Sequence, residues 1–217
     1  MRGDVLVIEP QHRRAAAEVA NALLAPIAAK PARFVIAVAG ESGSGKSEMA
    51  AALAECLSQD GIMSVTLGQD DYFVLPPKAN DARRRSDPDW LGPHVEVRLE
   101  VMQSNIDAAV AGASQIDKPV IDYDANAVTT EVVGLGGIKV VIAEGTYVSL
   151  LRHIDCRVFI GRNRLDTLEH RKKRNRGGEA HDAFVEGVLG LEHKIIAGHR
   201  QLADFVITRD FEVVKVQ

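Results

Sequence analysis

The run Gly40-Glu-Ser-Gly-Ser-Gly-Lys-Ser47 fills every fixed position of the pattern G-x-x-x-x-G-K-[ST], with an apolar stretch before it and a helical one after it. Each residue type has a physical reason. Gly40, Gly43 and Gly45 let backbone N–H groups turn inward around an anion without side-chain obstruction, and Ser42 and Ser44 complete the loop. A helix opening here adds its positive dipole end. Lys46 has the reach for β- and γ-phosphates, and the Ser47 hydroxyl suits Mg²⁺. This stretch is expected to cradle a nucleoside triphosphate, with Glu41 pointing to solvent from the loop's outer side.

Three further sites bear on what is done with the phosphate. In "TLGQDDYFVLPP", Asp70 and Asp71 follow a short strand, at the strand end where ligands gather in α/β sheets. A carboxylate there can take a proton from a hydroxyl or hold Mg²⁺ through water. In "VVIAEGTYV", an apolar strand delivers Glu144 to its end, where a carboxylate is expected to support Mg²⁺. In "RLDTLEHRKKRNRGGE", Arg171 and Arg174 lie one helical turn apart and Arg176 precedes Gly177-Gly178. Their planar forks suit phosphate oxygens, and the glycine pair would let the segment close as a lid. A solvated basic helix face is the plainer alternative for these arginines.

The elements that must position these residues read as strands alternating with helices. Helical spacing covers 11–29, followed by an apolar strand at 34–39, a helix at 49–57 and a strand at 62–67. Residues 74–94, rich in proline and charge, read as a loop or flap, and a helix follows at 95–110. "KPVIDY" and "TTEVVGL" form a hairpin-like pair. Strands at 139–143 and 157–160, helices at 165–176 and 182–202, and two closing strands complete an α/β pattern around a mostly parallel sheet. In the flap, Arg83, Arg84 and Arg85 read as a solvated charge run or as contacts for an anionic acceptor. Trp90 reads as a ring to stack on the acceptor or as an anchor for the flap.

These residues resemble the uridine kinase and phosphoribulokinase family of P-loop kinases. "GESGSGKSE" is similar to that family's GGSGSGKTT, "QDDYF" to the QDDFF of nicotinamide riboside kinases, and "VVIAEGTYV" to the family strand ending in Glu-Gly. "DYDANAVTTEV" echoes the Tyr-Asp start of a substrate hairpin, and "LADFVI" a late strand beginning Ala-Asp. The likeness spans residues 33 to 208.

The resemblance implies a three-layer P-loop fold with a mostly parallel five-stranded sheet, a small substrate hairpin (118–134) and a lid (165–180). The whole chain, 1–217, would form one kinase domain, with 1–32 as a helical extension and 74–94 as the flap. It implies ATP and Mg²⁺ as cofactors, with Asp70 and Lys46 catalytic together with Arg171 and Arg174, and Arg176 on the nucleotide. Ser47, Asp70 and Glu144 would hold the metal. Asp71, Tyr72, Asp87, Asp89, Tyr123 and Asp124 would line the acceptor site. The sequence departs from the uridine kinase pattern where "ANAVTTE" follows Tyr-Asp without the usual His and Arg, so the acceptor could be another ribonucleoside, a sugar or a pantothenate-like alcohol. The alternative from another class is a nucleotide-binding regulator or assembly ATPase.

Composition sets bounds. The chain has 217 residues, 46% hydrophobic and 26% charged, an ordinary globular balance. A net charge of −4 argues against general nucleic-acid binding. No apolar stretch approaches a membrane span or a secretory leader, and the two distant cysteines, Cys56 and Cys156, read as reduced thiols. A cytoplasmic protein acting on a small-molecule hydroxyl is the expectation, with a homo-oligomer left open. The GTPase tetrad Asn-Lys-x-Asp does not occur in the sequence.

Overall fold

The computed structural model describes residues 6–163, 166 and 183–216. Six strands form one sheet in the order β2-β5-β1-β6-β7-β8, and a separate antiparallel hairpin, β3-β4, stands beside it. The strands are β1 (Phe34–Gly40), β2 (Ser64–Gly68), β3 (Gln115–Asp122), β4 (Ala127–Gly134), β5 (Val140–Gly145), β6 (Cys156–Ile160), β7 (Phe205–Ile207) and β8 (Val213–Lys215). The first five in sheet order run parallel, and β8 adds an antiparallel edge to the five strands expected.

The sheet is covered on both faces, which explains why its central strands are apolar without alternation. One face packs α1 (Pro10–Ala29) and α2 (Lys46–Gln59), whose Met49, Leu53 and Leu57 are fully buried beside Ile36, Val38 and Ile142. Complete burial of each such side chain contributes about 1.5–3 kcal/mol. Helix α1 starts with Pro10 at its first position and turns an Ala15, Ala16, Val19, Ala20, Leu23 stripe inward. The other face takes α4 (Leu99–Val110), whose Met102, Ile106 and Ala109 meet Val35, Ala37 and Val141. Helix α5 (Ala183–Ile196) reaches this same face through Ile196.

The flap is more ordered than its composition suggests. Pro77–Ser86 is a helix, α3, not a loop. Pro77 stands at the helix start, where its missing N–H leaves no hydrogen bond unmade. Two i,i+4 ion pairs, Arg83–Asp87 and Asp81–Arg85, support its surface. The flap is closed at its base by Arg98 N–H to the Tyr72 carbonyl and Val74 N–H to the Glu96 carbonyl, both at 2.8 Å. Among the described residues, no helix is long and apolar enough to cross a membrane.

Candidate nucleotide and acceptor site

The parallel register brings three strand ends together. Gly68 on β2 pairs with Glu144 on β5, and Gly145 pairs with Ala39 on β1, one residue before the phosphate loop. The sequence motifs at these ends interlock. A Cβ on Gly68 would stand 3.0 Å from Glu144 Oε1, so the glycine makes room for that carboxylate. A Cβ on Gly145 would overlap the Cβ of Gln69, whose Oε1 accepts from the Tyr147 N–H at 2.7 Å. The Gln-Asp-Asp and Glu-Gly elements are thus two halves of one packed joint.

Within the loop, Gly43 and Gly45 hold φ of +77° and +100°, which other residues rarely adopt. A Cβ on Gly40 would approach the Ile160 carbonyl and Ser44 Oγ at 2.9 Å. One on Gly45 would stand 3.1 Å from Nε2 of His12 on α1, so the N-terminal helix backs the loop rather than merely extending the domain. Lys46 Nζ donates to the Glu41 carbonyl at 2.8 Å, and the Ser44 hydroxyl is buried with no hydrogen-bond partner among the described residues. A glycine-lined cradle with a lysine at its wall and an unused buried hydroxyl fits a phosphate chain.

Ser47 Oγ lies 3.3 Å from Glu144 Oε2. Burial and the neighbouring Asp70 carboxylate push the Glu144 pKa up to about 7, against the pull of Lys46 and the Ser47 hydroxyl. Asp70, Glu144, Lys46 and Ser47 therefore form one electrostatic group. One or two carboxylates beside a hydroxyl suit Mg²⁺, which is usually completed by substrate phosphates and water.

The neighbours of Asp70 turn elsewhere. Residues Gln69–Tyr72 form a single 3₁₀ turn. Asp71, expected at the acceptor, is buried and takes Lys118 Nζ at 2.7 Å and the Ile121 N–H at 3.1 Å, tying the β3-β4 hairpin to this turn. Tyr72, also expected there, is a fully buried core residue whose hydroxyl accepts from Asn105 Nδ2 at 3.0 Å. Asp87 accepts from Arg83 and from the Asp89 N–H, and Asp89 is exposed. Tyr123 and Asp124 are exposed at the hairpin turn, where Asn126 Oδ1 accepts from the Lys78 N–H of the flap. Arg171, Arg174 and Arg176 lie outside the described residues.

Of the flap arginines, Arg83 and Arg85 are exposed, as a solvated run would be, and Arg84 is half-buried; all three also meet other groups of the protein. Arg84 meets the buried Glu96 at 2.6 Å, Arg83 lies over the Trp90 ring at 5.1 Å, and Arg85 over the Phe184 ring at 4.2 Å. Trp90 Nε1 donates to Asn80 Oδ1 at 2.8 Å, so this ring anchors the flap. A cleft of about 520 Å³ opens between flap and α5, lined among others by Arg84, Asp87, Leu91, Phe184 and Val188.

Two groups at the loop escaped the sequence reading. Glu41 is buried, not in solvent, with Oε1 at 2.5 Å from His193 Nδ1. Glu192, next to that histidine on α5, accepts from both the N–H and the hydroxyl of Ser42. A Glu-His pair in a helix carries no signal of its own that would have found either contact.

No family model matches the chain. It is 29% identical over 192 residues to a bifunctional alpha-galactosidase/sucrose kinase of Mediterraneibacter gnavus, an alignment covering 83% of this chain and 20% of that protein. The chain therefore spans about a fifth of that relative's length. It is 27% identical over 191 residues to a uridine kinase of Latilactobacillus sakei, covering 82% of this chain and 86% of the relative. In fold it is similar to a D-glycerate 3-kinase from Cryptococcus neoformans, with a TM-score of 0.64 at 17% identity over 93% of this chain and 98% of the other. A phosphoribulokinase from Rhodobacter spheroides superposes with a TM-score of 0.59 at 14% identity, over 82% of this chain and 71% of that one. The chain is a homologue of uridine kinase with the fold of the uridine kinase and phosphoribulokinase group of P-loop kinases.

Proposed function

We propose that this chain is a phosphotransferase that moves the γ-phosphoryl group of ATP to a hydroxyl of a small molecule, a nucleoside or a sugar. The observation that carries this reading is the meeting of the phosphate loop, Asp70 and Glu144 at adjacent ends of parallel strands. The two sequence relatives are named for kinases of uridine and of sucrose, both acceptors with ring hydroxyls.

Lys46 and the loop N–H groups bind and orient the phosphate chain. Ser47, Glu144 and Asp70 would hold Mg²⁺, which when bound neutralises charge on the phosphates. Asp70 takes or orients the proton of the acceptor hydroxyl, a role it can fill because its two neighbours are committed elsewhere. In this reading the cleft between flap and α5, lined by Asp87, Leu91 and Phe184 among others, would receive the acceptor, and the lid arginines Arg171, Arg174 and Arg176, which lie outside the described residues, would stabilise the transferring group.

The test is ADP release from Mg²⁺-ATP across a panel of nucleosides, sugars and disaccharides, with Asp70→Asn as control. Stimulation by one acceptor that Asp70→Asn abolishes supports the reading. Nucleotide binding without stimulation by any acceptor would sink it.

A further inference from the structure

Two clasps join the phosphate loop to α5. The Ser42 N–H donates to Glu192 Oε1 at 2.6 Å and the Ser42 hydroxyl donates to Oε2 at 2.8 Å. One residue along on each partner, Glu41 Oε1 meets His193 Nδ1 at 2.5 Å. The Glu41 carbonyl meanwhile accepts from the Ser44 N–H at 3.1 Å and from Lys46 Nζ at 2.8 Å. The Glu41–Ser42 segment is therefore held by the helix through both side chains and the Ser42 N–H, and by the loop itself through the Glu41 carbonyl.

Glu192 is 5% exposed. Its burial raises its pKa, opposed by Lys46, the Ser42 donors and Arg84. A buried carboxylate is a poor way to pack a helix against a loop, because apolar residues of similar volume usually do as well or better. What a carboxylate adds is direction: two acceptor oxygens that fix two donors of one residue. The loop's N–H groups are the anion donors of the site, and the protein uses one of them to orient the rest.

We propose that Glu192 is a positioning residue that presets the phosphate loop for the triphosphate by fixing both donors of Ser42. The proposal rests on the kinase reading above, since it assigns the loop a nucleotide.

The experiment combines calorimetric Mg²⁺-ATP affinity with amide hydrogen exchange at Ser42, in the wild type and in Glu192→Ala, Glu192→Gln, Ser42→Ala and the Ser42→Ala/Glu192→Ala double variant. Loss of charge-assisted bonds should weaken binding about 10-fold or more in Glu192→Ala. Glu192→Gln, which keeps one acceptor oxygen, should recover part of that loss. The double variant should bind within about 2-fold of Glu192→Ala, because the two sites act as one unit. Ser42 exchange should be slow in the nucleotide-free wild type and at least about 10-fold faster in Glu192→Ala.

Unchanged or tighter binding in both Glu192 variants overturns the proposal, since the carboxylate would then be mere packing or a repulsive charge. So does a wild-type Ser42 amide that exchanges without protection. A wild type that binds no nucleotide removes the kinase reading together with this proposal. Nucleotide binding by the wild type and Glu192→Ala alike removes the proposal alone. If Glu192→Ala fails to fold, Glu192→Gln and Ser42→Ala carry the same comparison.

Discussion

Gln69 and Gly145 share one space: a side-chain carbon on Gly145 would overlap the Cβ of Gln69 and stand 2.8 Å from its Oε1. That oxygen is already fixed by the Tyr147 N–H, so Gln69 cannot swing away without leaving a buried donor unmade. Gly145→Ala should lower stability by about 2 kcal/mol or more, measured by urea unfolding. In a Gln69→Gly background, which removes the obstructing Cβ, the same Gly145→Ala substitution should cost less. A Gly145→Ala protein as stable as the wild type would show that the joint between the two motifs is loose.

Adjacent aspartates should give opposite phenotypes. Asp70→Asn should leave the unfolding midpoint near that of the wild type while cutting kcat by about 100-fold or more with the acceptor found. Asp71→Asn strips the charge from a buried ion pair with Lys118, whose side chain is 8% exposed. It should destabilise by about 3–5 kcal/mol, eased by Glu131, which lies 3.1 Å from the same ammonium. Unfolding curves and kinetics on the same two preparations separate the cases. An Asp71→Asn enzyme of full stability but without activity would return Asp71 to the acceptor site.

The contrast between these residues shows what the sequence could carry. The phosphate loop was legible because its chemistry is local, eight consecutive residues whose types suffice. Asp70 and Glu144 were legible because parallel strands put their ends side by side whatever the loops do. The positions of Asp71 and Tyr72 were not legible because the strand ends in a 3₁₀ turn, where about three residues complete a circle and successive side chains point in different directions. Asp70 remains beside Glu144, Asp71 reaches the hairpin and Tyr72 enters the core. The flap was taken for a loop because proline and charge were read as breakers, although Pro77 begins a helix and the charges pair at i,i+4. Glu192 lies 150 residues from Ser42, and only tertiary packing joins them.

Glu144 gives the site a pH signature. In the nucleotide-free protein its pKa, pushed up to about 7, means the folded state retains a proton that the unfolded chain releases near 4.5. Its contribution to stability is present in full below the unfolded value and is lost as pH rises through 7. Glu144→Gln should therefore gain urea resistance over the wild type at pH 8 and little at pH 5. Mg²⁺ favours the carboxylate, so Mg²⁺-ATP affinity of the wild type should rise from pH 6 to pH 8, with proton release visible in calorimetry across buffers. The same stability gap at both pH values would refute the burial of an ionisable group here.

The flap can be followed through the single tryptophan of the chain. Trp90 is tied to Asn80, Asn80 Nδ2 donates to Glu96 at 3.2 Å, and Glu96, 1% exposed, also receives Arg84. Glu96→Ala removes the acceptor common to Arg84 and Asn80 and leaves a half-buried guanidinium without its carboxylate. The expected result is a destabilisation of about 1–3 kcal/mol, below that of a fully buried pair because Arg84 is partly solvated. Trp90 emission should shift to the red as its anchor loosens, and the acceptor KM should rise while ATP affinity holds, since Lys46 and the loop are untouched. Emission and acceptor KM both unchanged in Glu96→Ala would mean that the Glu96 network neither orders the flap nor shapes the acceptor cleft.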